Sequence, residues 1–373
     1  MRIKSFSIKD FRNITRLELE PHEGITLFFG ENAQGKSNIL EALGLLSTGR
    51  SFRTMREAEL IAWQSSCSRV EAEVSQGGLN SEVTFVLIRE KDHSLRKKIV
   101  LNGAPLKKLS QYIGKVKNVI FSRHDLAIIT GAPFSRRRFL DHMLCLINPS
   151  YLFSLQRYYS TLKERNHWLK SARPEKNPEM EGVWKEQLTR YGTPLLKERK
   201  ELLEKFSLTL ASLYHDLTGE KEKLTIGYSP SFGLQGSDES TIHRHFLAVM
   251  EKSRSLEKAR RTTLYGPHRD DFNVMLENIP LRAFGSQGQQ RYAAIALKLA
   301  ESETIEGSTG DLPVLLMDDC FSELDEARAR HLWRHLGTRG QVFLSSHFIP
   351  VPRTLQEGCT IYTVREGRIT AYE

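Results

Sequence analysis

The chain opens with two stretches in which apolar and polar residues alternate with period two, Ser5–Phe11 and Ile14–Glu20, the pattern of strands with one buried face. A short apolar run, Ile25–Phe29, ends in glycine and is followed by Asn38–Ser47, where Ile39, Leu40, Leu43 and Leu46 fall at helical spacing. Val70–Val74 and Glu82–Ile88 flank Gly77-Gly78 and predict a hairpin, and Lys97–Leu101 is a further strand ahead of Asn102-Gly103. From about Ser135 to Thr218 strand signals vanish and helical periodicity takes over, with a proline-containing break at Pro174–Pro178. Strands and helices alternate again afterwards. Gly288–Glu303 reads as a helix, Leu312–Met317 as a buried strand, and Asp325–Leu336 as a helix. Val342–Leu344 is a strand, and Thr360–Ala371 a closing hairpin around Glu366-Gly367. The simplest arrangement is an α/β head made from both chain ends, residues 1–118 and 263–373, with a mainly helical domain, 119–262, inserted between them.

Composition adds a partner class. The 373 residues are 39% hydrophobic and 27% charged, as in ordinary globular proteins, and are too many for one small core. Lys and Arg number 54 against 45 Asp and Glu, a net charge of +9. The segment Arg123–Lys205 alone carries a net +6. Such an excess suits a polyanionic partner such as nucleic acid or an anionic surface; a merely basic protein is the competing reading. Cys67, Cys145, Cys320 and Cys359 show no CxxC pair and no metal-ligand spacing, so reduced thiols in a reducing compartment are expected. Met1–Asn13 lacks the apolar core of a signal peptide and no apolar run approaches a membrane span, so a cytoplasmic protein without a membrane partner is expected.

The chemistry begins with Gly30-Glu31-Asn32-Ala33-Gln34-Gly35-Lys36-Ser37, which meets G-x-x-x-x-G-K-[ST] at every fixed position, between an expected strand and an expected helix. Glycines let successive N–H groups wrap phosphates at a helix N-terminus. Lys36 would place its charge on the β- and γ-phosphates, and the Ser37 hydroxyl would meet Mg²⁺. Leu315-Leu316-Met317 leads into Asp318-Asp319: the first carboxylate is placed for Mg²⁺, the second for an attacking water. On its own this is a strand ending in a polar turn; beside a phosphate loop the functional reading prevails. In Ser322-Glu323-Leu324-Asp325, either Ser322 or Asp325 could be a helix N-cap. His347, at the end of the Val342–Leu344 strand, is a candidate sensor of the terminal phosphate.

A second anion site follows from Gly285-Ser286-Gln287-Gly288-Gln289, a serine and glycines opening a helix. It is redundant if one chain does everything, and useful if two chains face each other head to tail, each nucleotide lying between one chain's phosphate loop and the other's serine loop. The competing reading is a linker ahead of a capped helix.

These segments resemble ABC ATPase heads of the SMC class. There GSQGQ is similar to the signature loop, SELD to the D-loop and His347 to the switch histidine. The resemblance narrows to the RecF family over nearly the whole chain, on KDFRNI (Lys9–Ile14), GENAQGKSNILEAL, GRSFR (Gly49–Arg53), PFSRRRFLD (Pro133–Asp141) and YGPHRDDF (Tyr265–Phe272). It implies an ATPase with ATP and Mg²⁺ as cofactors, an ATP-dependent homodimer on single-stranded, double-stranded or gapped DNA, and RecR- and RecO-like partners in loading a RecA-type recombinase. RRRFLD and GPHRDD have no function that follows from their chemistry, and helix caps or salt bridges are the alternative. The chain departs from the RecF pattern where Arg123-His124-Asp125-Leu126 replaces Pro-Glu-Asp-Leu and where Ser37 replaces the common Thr; Asp319 stands in place of the Glu of most ABC ATPases, although Asp-Asp is typical of RecF-like chains. The shorter side chain suggests slow hydrolysis. Other readings are a different SMC- or ABC-type ATPase, such as an end-processing or transport subunit, and a small-molecule P-loop kinase. Which basic residues meet DNA is not legible.

Overall fold

The computed structural model describes residues 1–171, 178–219, 222–352, 354 and 358–372. The first four residues of the expected break at Pro174–Pro178 lie outside them, and Pro178 is the first residue of a helix. The chain divides into two compact units: Met1–Leu126, Ser212–Lys221 and Ser286–Glu373 form the first, and Ala127–Ala211 with Glu222–Gly285 the second.

The first unit holds two six-stranded sheets. One is antiparallel, order β2-β1-β4-β5-β6-β7, from β1 (Arg2–Phe11), β2 (Ile14–Leu19), β4 (Cys67–Gln76), β5 (Leu79–Arg89), β6 (Leu95–Leu101) and β7 (Ala104–Pro105). The other, order β15-β14-β3-β13-β12-β8, joins β3 (Ile25–Phe29) to β8 (Asn118–Phe121), β12 (Val314–Asp318), β13 (Val342–Ser346), β14 (Cys359–Arg365) and β15 (Arg368–Ala371). Within it β8, β12, β13, β3 and β14 run parallel, and β15 closes one edge antiparallel. Their near-continuous burial is that of a sheet covered on both faces. Helix α1 (Lys36–Thr48) packs into the same core: Ile39, Leu40, Leu43 and Leu46 are wholly buried beside Phe28, Leu316 and Phe343. Helices α9 (Gln287–Thr309) and α10 (Glu326–Gly337) complete the unit.

The second unit contains α2 (Leu126–Thr130, beginning at the boundary), α3 (Pro133–Ile147), α4 (Pro149–Lys170), most of α5 (Pro178–Thr218), α6 (Glu239–Lys252), α7 (Arg254–Arg260) and α8 (Leu281–Phe284). It also holds an antiparallel sheet, order β11-β10-β9, built from β9 (Leu224–Ser229), β10 (Asp271–Leu276) and β11 (Ile279–Pro280). The unit limits differ from those expected. The expected limits 118/119 and 262/263 move to 126/127 and 285/286. Residues 118–121 pair with β12 inside the parallel sheet, and 271–276 pair with β9 inside the insertion. The insertion is mainly helical, as expected, with one small antiparallel sheet among its helices. No helix among the described residues is long and apolar enough to cross a membrane, and all four cysteines are free.

RRRFLD and GPHRDD meet in the second unit as one ion-pair network. Arg136 grips Asp271 with both arms (2.6 and 2.9 Å), and Arg137 donates to the Asp270 carbonyl (2.7 Å). Fully buried Arg199 donates to Asp141 (2.7 Å), Tyr151 Oη (3.0 Å), the Pro267 carbonyl (2.6 Å) and Asp270 (3.4 Å). The salt-bridge alternative is the arrangement observed. His268, between Tyr158 Oη (2.6 Å) and the Thr263 carbonyl (3.1 Å), has its pKa pushed down to about 4, chiefly by burial. An unfolded chain therefore takes up a proton near pH 6.5 that the folded one refuses until about pH 4. The stability this neutral imidazole contributes is complete above pH 6.5 and lost as pH falls toward 4. Urea midpoints at pH 7.5 and 5 should drop less in His268→Gln than in the parent; equal drops would remove His268 from the acid response.

Candidate functional site

Strand β3 ends at Phe29 and α1 begins at Lys36, so the six residues between must turn the backbone through conformations few side chains tolerate. Gly30 sits at φ +150° and Gly35 at φ +111°; a Cβ would lie 2.5 Å from the Val364 carbonyl oxygen at the first and 2.9 Å from Asn13 at the second. Only glycine fits either place. Lys36 Nζ donates to the carbonyls of Gly30 (2.7 Å) and Glu31 (2.6 Å), folding over the loop that a phosphate would enter. Its pKa is lowered by burial, against the pull of Asp319 and Asp318.

Parallel register brings the remaining groups to the same edge. Asp318 pairs with Ser345, and Phe29 with Ser346, so β12, β13 and β3 end side by side. Asp318 Oδ1 accepts from Ser37 Oγ (2.7 Å) and from Ser345 Oγ (2.6 Å). Asp319, at φ +54°, turns out of the strand, and its N–H donates to Ser345 O (3.2 Å) and Oγ (3.0 Å). His347 Nδ1 stands 3.7 Å from one Asp319 oxygen, and Arg123 Nε donates to the other at 3.1 Å. A cavity of about 520 Å³ opens here, lined by Asn32, Ala33, Gly35, Lys36, Ser37, Asp318 and Asp319, with Arg53 and Arg123 in its wall.

The loop is braced from outside. Arg12, in the left-handed region at φ +50°, reaches wholly buried Glu41 of α1 with Nη2 at 2.8 Å. Arg53 donates to Asn38 (2.6 Å) and to Glu41 (3.3 Å), while Asn13 donates to the Gln34 carbonyl (3.2 Å). Gln34 also receives the backbone N–H groups of Glu366 and Gly367.

Among the described residues lining the cavity none comes from Gly285–Gln289. Ser286 is instead the N-cap of α9. Its Oγ accepts from Gln289 N–H (3.2 Å) and its own N–H donates to Gln289 Oε1 (3.0 Å), and Ser286, Gln287 and Gly288 are exposed. Asp325 caps α10 by accepting from Arg328 N–H (2.9 Å). Ser322 Oγ donates to the Asp319 carbonyl (3.1 Å) and accepts from Arg291 (2.6 Å), which ties the SELD turn to the carboxylate strand.

A family model described as RecF/RecN/SMC N terminal domain matches residues 2–370. Proteins named DNA replication and repair protein RecF are similar to the chain at full length. That of Natranaerobius thermophilus is 37% identical over 355 residues, 93% of this chain and 91% of the relative. That of Clostridium tetani is 34% identical over 367 residues, 98% and 99%. The chain belongs to the RecF family. A solved structure of the recombination mediator protein RecF with ATP, of the RecFOR pathway, is 34% identical and superposes with a TM-score of 0.88, covering 100% of this chain and 99% of that one. The Smc head bound to the C-winged helix domain of ScpA shares the fold (14% identity, TM-score 0.55, 100% and 98% coverage). The RecF-family chain thus has the α/β head of the ABC/SMC ATPase class, with an insertion.

The phosphate loop and both carboxylates, named from sequence, come together at one cavity, and His347 stands beside it, 3.7 Å from Asp319. Gly285–Gln289 stands apart from it. Sequence reasoning missed Arg12, Asn13, Glu41, Arg53 and Ser345 as parts of the site. KDFRNI and GRSFR, both noted as family marks, were the signal for the first, second and fourth.

Proposed function

We propose that the chain is an ATP-driven DNA clamp of recombinational repair, an ATPase whose turnover sets how long it stays on DNA. The observation that carries this reading is the convergence of Lys36, Ser37, Asp318 and Asp319 on one cavity, while Ser286, at the start of α9, is exposed outside it.

ATP enters with its phosphates against Gly30–Ser37, and Lys36 leaves the Gly30 and Glu31 carbonyls for the β- and γ-phosphates. Mg²⁺ suits the donors present: the Ser37 hydroxyl and the Asp318 carboxylate are hard oxygen ligands already 2.7 Å apart, and phosphate oxygens and water complete such a shell. When bound, the ion neutralises charge on the phosphates. Asp319 orients the attacking water and accepts its proton, and His347 hydrogen-bonds the terminal phosphate. Ser286 and the first N–H groups of α9 close on the terminal phosphate of a second copy's ATP, giving a two-fold dimer with two nucleotides. Basic surfaces then hold the phosphate backbone of gapped or junction DNA, with strong salt dependence and little sequence preference. Hydrolysis reopens the dimer. By family likeness the protein works in the cytoplasm beside RecR- and RecO-like partners, preparing DNA for a RecA-type recombinase.

Molar mass in solution with Mg²⁺, with and without ATP, tests the reading. The parent should shift from monomer to dimer and retain a gapped duplex in an ATP-dependent, salt-sensitive way. Lys36→Met should lose the shift and at least about 100-fold in hydrolysis. A Lys36→Met protein that still dimerises with ATP and turns it over at the parental rate would show that ATP is handled elsewhere.

A further inference from the structure

Arg123 stands where the sequence departs from the RecF pattern, and the fold puts it in the wall of the phosphate cavity. Its position is set by backbone. β8 pairs parallel with β12, Phe121 opposite Met317, so the residues that follow each strand emerge together: Ser122 and Arg123 beside Asp318 and Asp319. The Ser122–Asp125 turn is locked by Asp125, whose carboxylate accepts from Ser122 N (2.7 Å) and Oγ (3.0 Å). The Arg123 guanidinium then binds Asp319 through Nε at 3.1 Å and through Nη2.

The three permanent cations among the described residues of this wall are held very differently. Lys36 lies over the loop carbonyls. Arg53 is fixed by Asn38 and by Glu41, itself wholly buried. Arg123 has 70% of its side chain exposed, and the carboxylate it holds is 18% exposed. It is a largely exposed cation bonded to the residue proposed to activate water.

We infer that Arg123 exchanges Asp319 for the terminal phosphoryl group of ATP. This rests on the reading of the cavity as an ATP site. The exchange follows from charge and shape: a planar guanidinium takes a triphosphate terminus bidentately, and that terminus carries more negative charge than one carboxylate. The same movement has two effects. It places a positive charge on the phosphoryl oxygens, where charge is spread in transfer. It also strips Asp319 of the ion pair that occupies Oδ2, so that oxygen can accept the proton of the attacking water as the water oxygen bonds to the terminal phosphorus and the bond to the β-phosphate oxygen breaks, releasing ADP and phosphate. ADP lacks the terminal group and leaves Arg123 on Asp319. The residue therefore reads the difference between substrate and product, in the same chain that supplies the phosphate loop.

The test compares ATP and ADP binding, by calorimetry with Mg²⁺, and turnover in the full chain carrying Arg123→Ala or Arg123→Lys. Arg123→Ala should weaken ATP about tenfold or more, leave ADP unchanged, and lower kcat at least about 100-fold. Arg123→Lys should recover part of the ATP affinity and little of kcat, because an ammonium makes no bidentate contact. Asp319→Asn should tighten ATP in the parent by removing the competitor, and have no such effect in Arg123→Ala. Parental ATP affinity and turnover in Arg123→Ala would overturn the inference, and so would equal weakening of ATP and ADP, which marks a merely structural arginine. Lys36→Met, measured alongside, separates these outcomes from a failure of the phosphate-loop assignment, which would appear as unaltered ATP binding in that variant.

Discussion

In Ser286→Arg the ATP-dependent rise in molar mass disappears, while the monomer keeps its nucleotide affinity to within about twofold. Both halves of that result follow from where Ser286 sits. It lies outside the cavity of its own chain, so a bulky cation there leaves the Lys36 site intact. It is exposed at the start of α9, where a second copy's phosphates would have to approach, and an arginine fills the space needed for close packing. Loss of the N-cap weakens α9 by about 1 kcal/mol, too little to unfold the head. Hydrolysis, if it requires two chains, falls with the dimer. Sedimentation with ATP and calorimetry with ADP decide the matter. A Ser286→Arg monomer that no longer binds nucleotide would place this loop in the same-chain site, and an unimpaired dimer would remove it from the interface.

The second large effect is on stability. Arg199→Met should destabilise the second unit by about 3–5 kcal/mol, because it leaves two carboxylates, buried Asp270 and half-buried Asp141, short of the cation between them. Tyr151 Oη and the Pro267 carbonyl lose a donor in the same substitution. The control is Arg330→Ala, which removes an exposed pair with Glu326 one helical turn away and should change stability by less than about 0.5 kcal/mol. Urea unfolding followed by tryptophan fluorescence compares them. An Arg199→Met midpoint no lower than that of Arg330→Ala would show that the network contributes no net stability.

The sequence is informative where a function needs contiguous residues. Gly30–Ser37 must be consecutive because one loop wraps the phosphates, and Asp318-Asp319 must end a strand whose neighbours are apolar. Both are legible in residue order alone. Gly285–Gln289 is recognisable as a loop opening a helix, yet its partner is not a neighbour in its own chain, so the fold of one chain leaves its role a proposal. Arg53 and Glu41 lie inside recognisable segments, GRSFR and GENAQGKSNILEAL, but their mutual contact does not show in residue order; Ser345 is not legible at all, because it meets Asp318 only through strand register 27 residues away. Limits between units fail for a related reason. β8 has four residues, too few to display a period, and β9 and β10 are 42 residues apart at their paired ends, so neither announces the other. Arg123 is an exception in the sequence and acquires a chemical meaning only from the strand that delivers it to Asp319.

The strand order of the parallel sheet has a consequence for synthesis. β3, which leads into the phosphate loop, takes both of its neighbours from far downstream, β13 at Val342–Ser346 and β14 at Cys359–Arg365. At typical elongation speeds the ribosome needs on the order of 15–60 s to travel from β3 to β13. Through that interval a strand with four buried positions and the loop that follows it has nothing to pair with on either side. The antiparallel sheet from the same end of the chain can form early, since every strand in it lies before residue 106. Nascent chains therefore carry half a head that can fold and half that must be shielded, and a transcript broken before residue 342 yields a product with no site to fill.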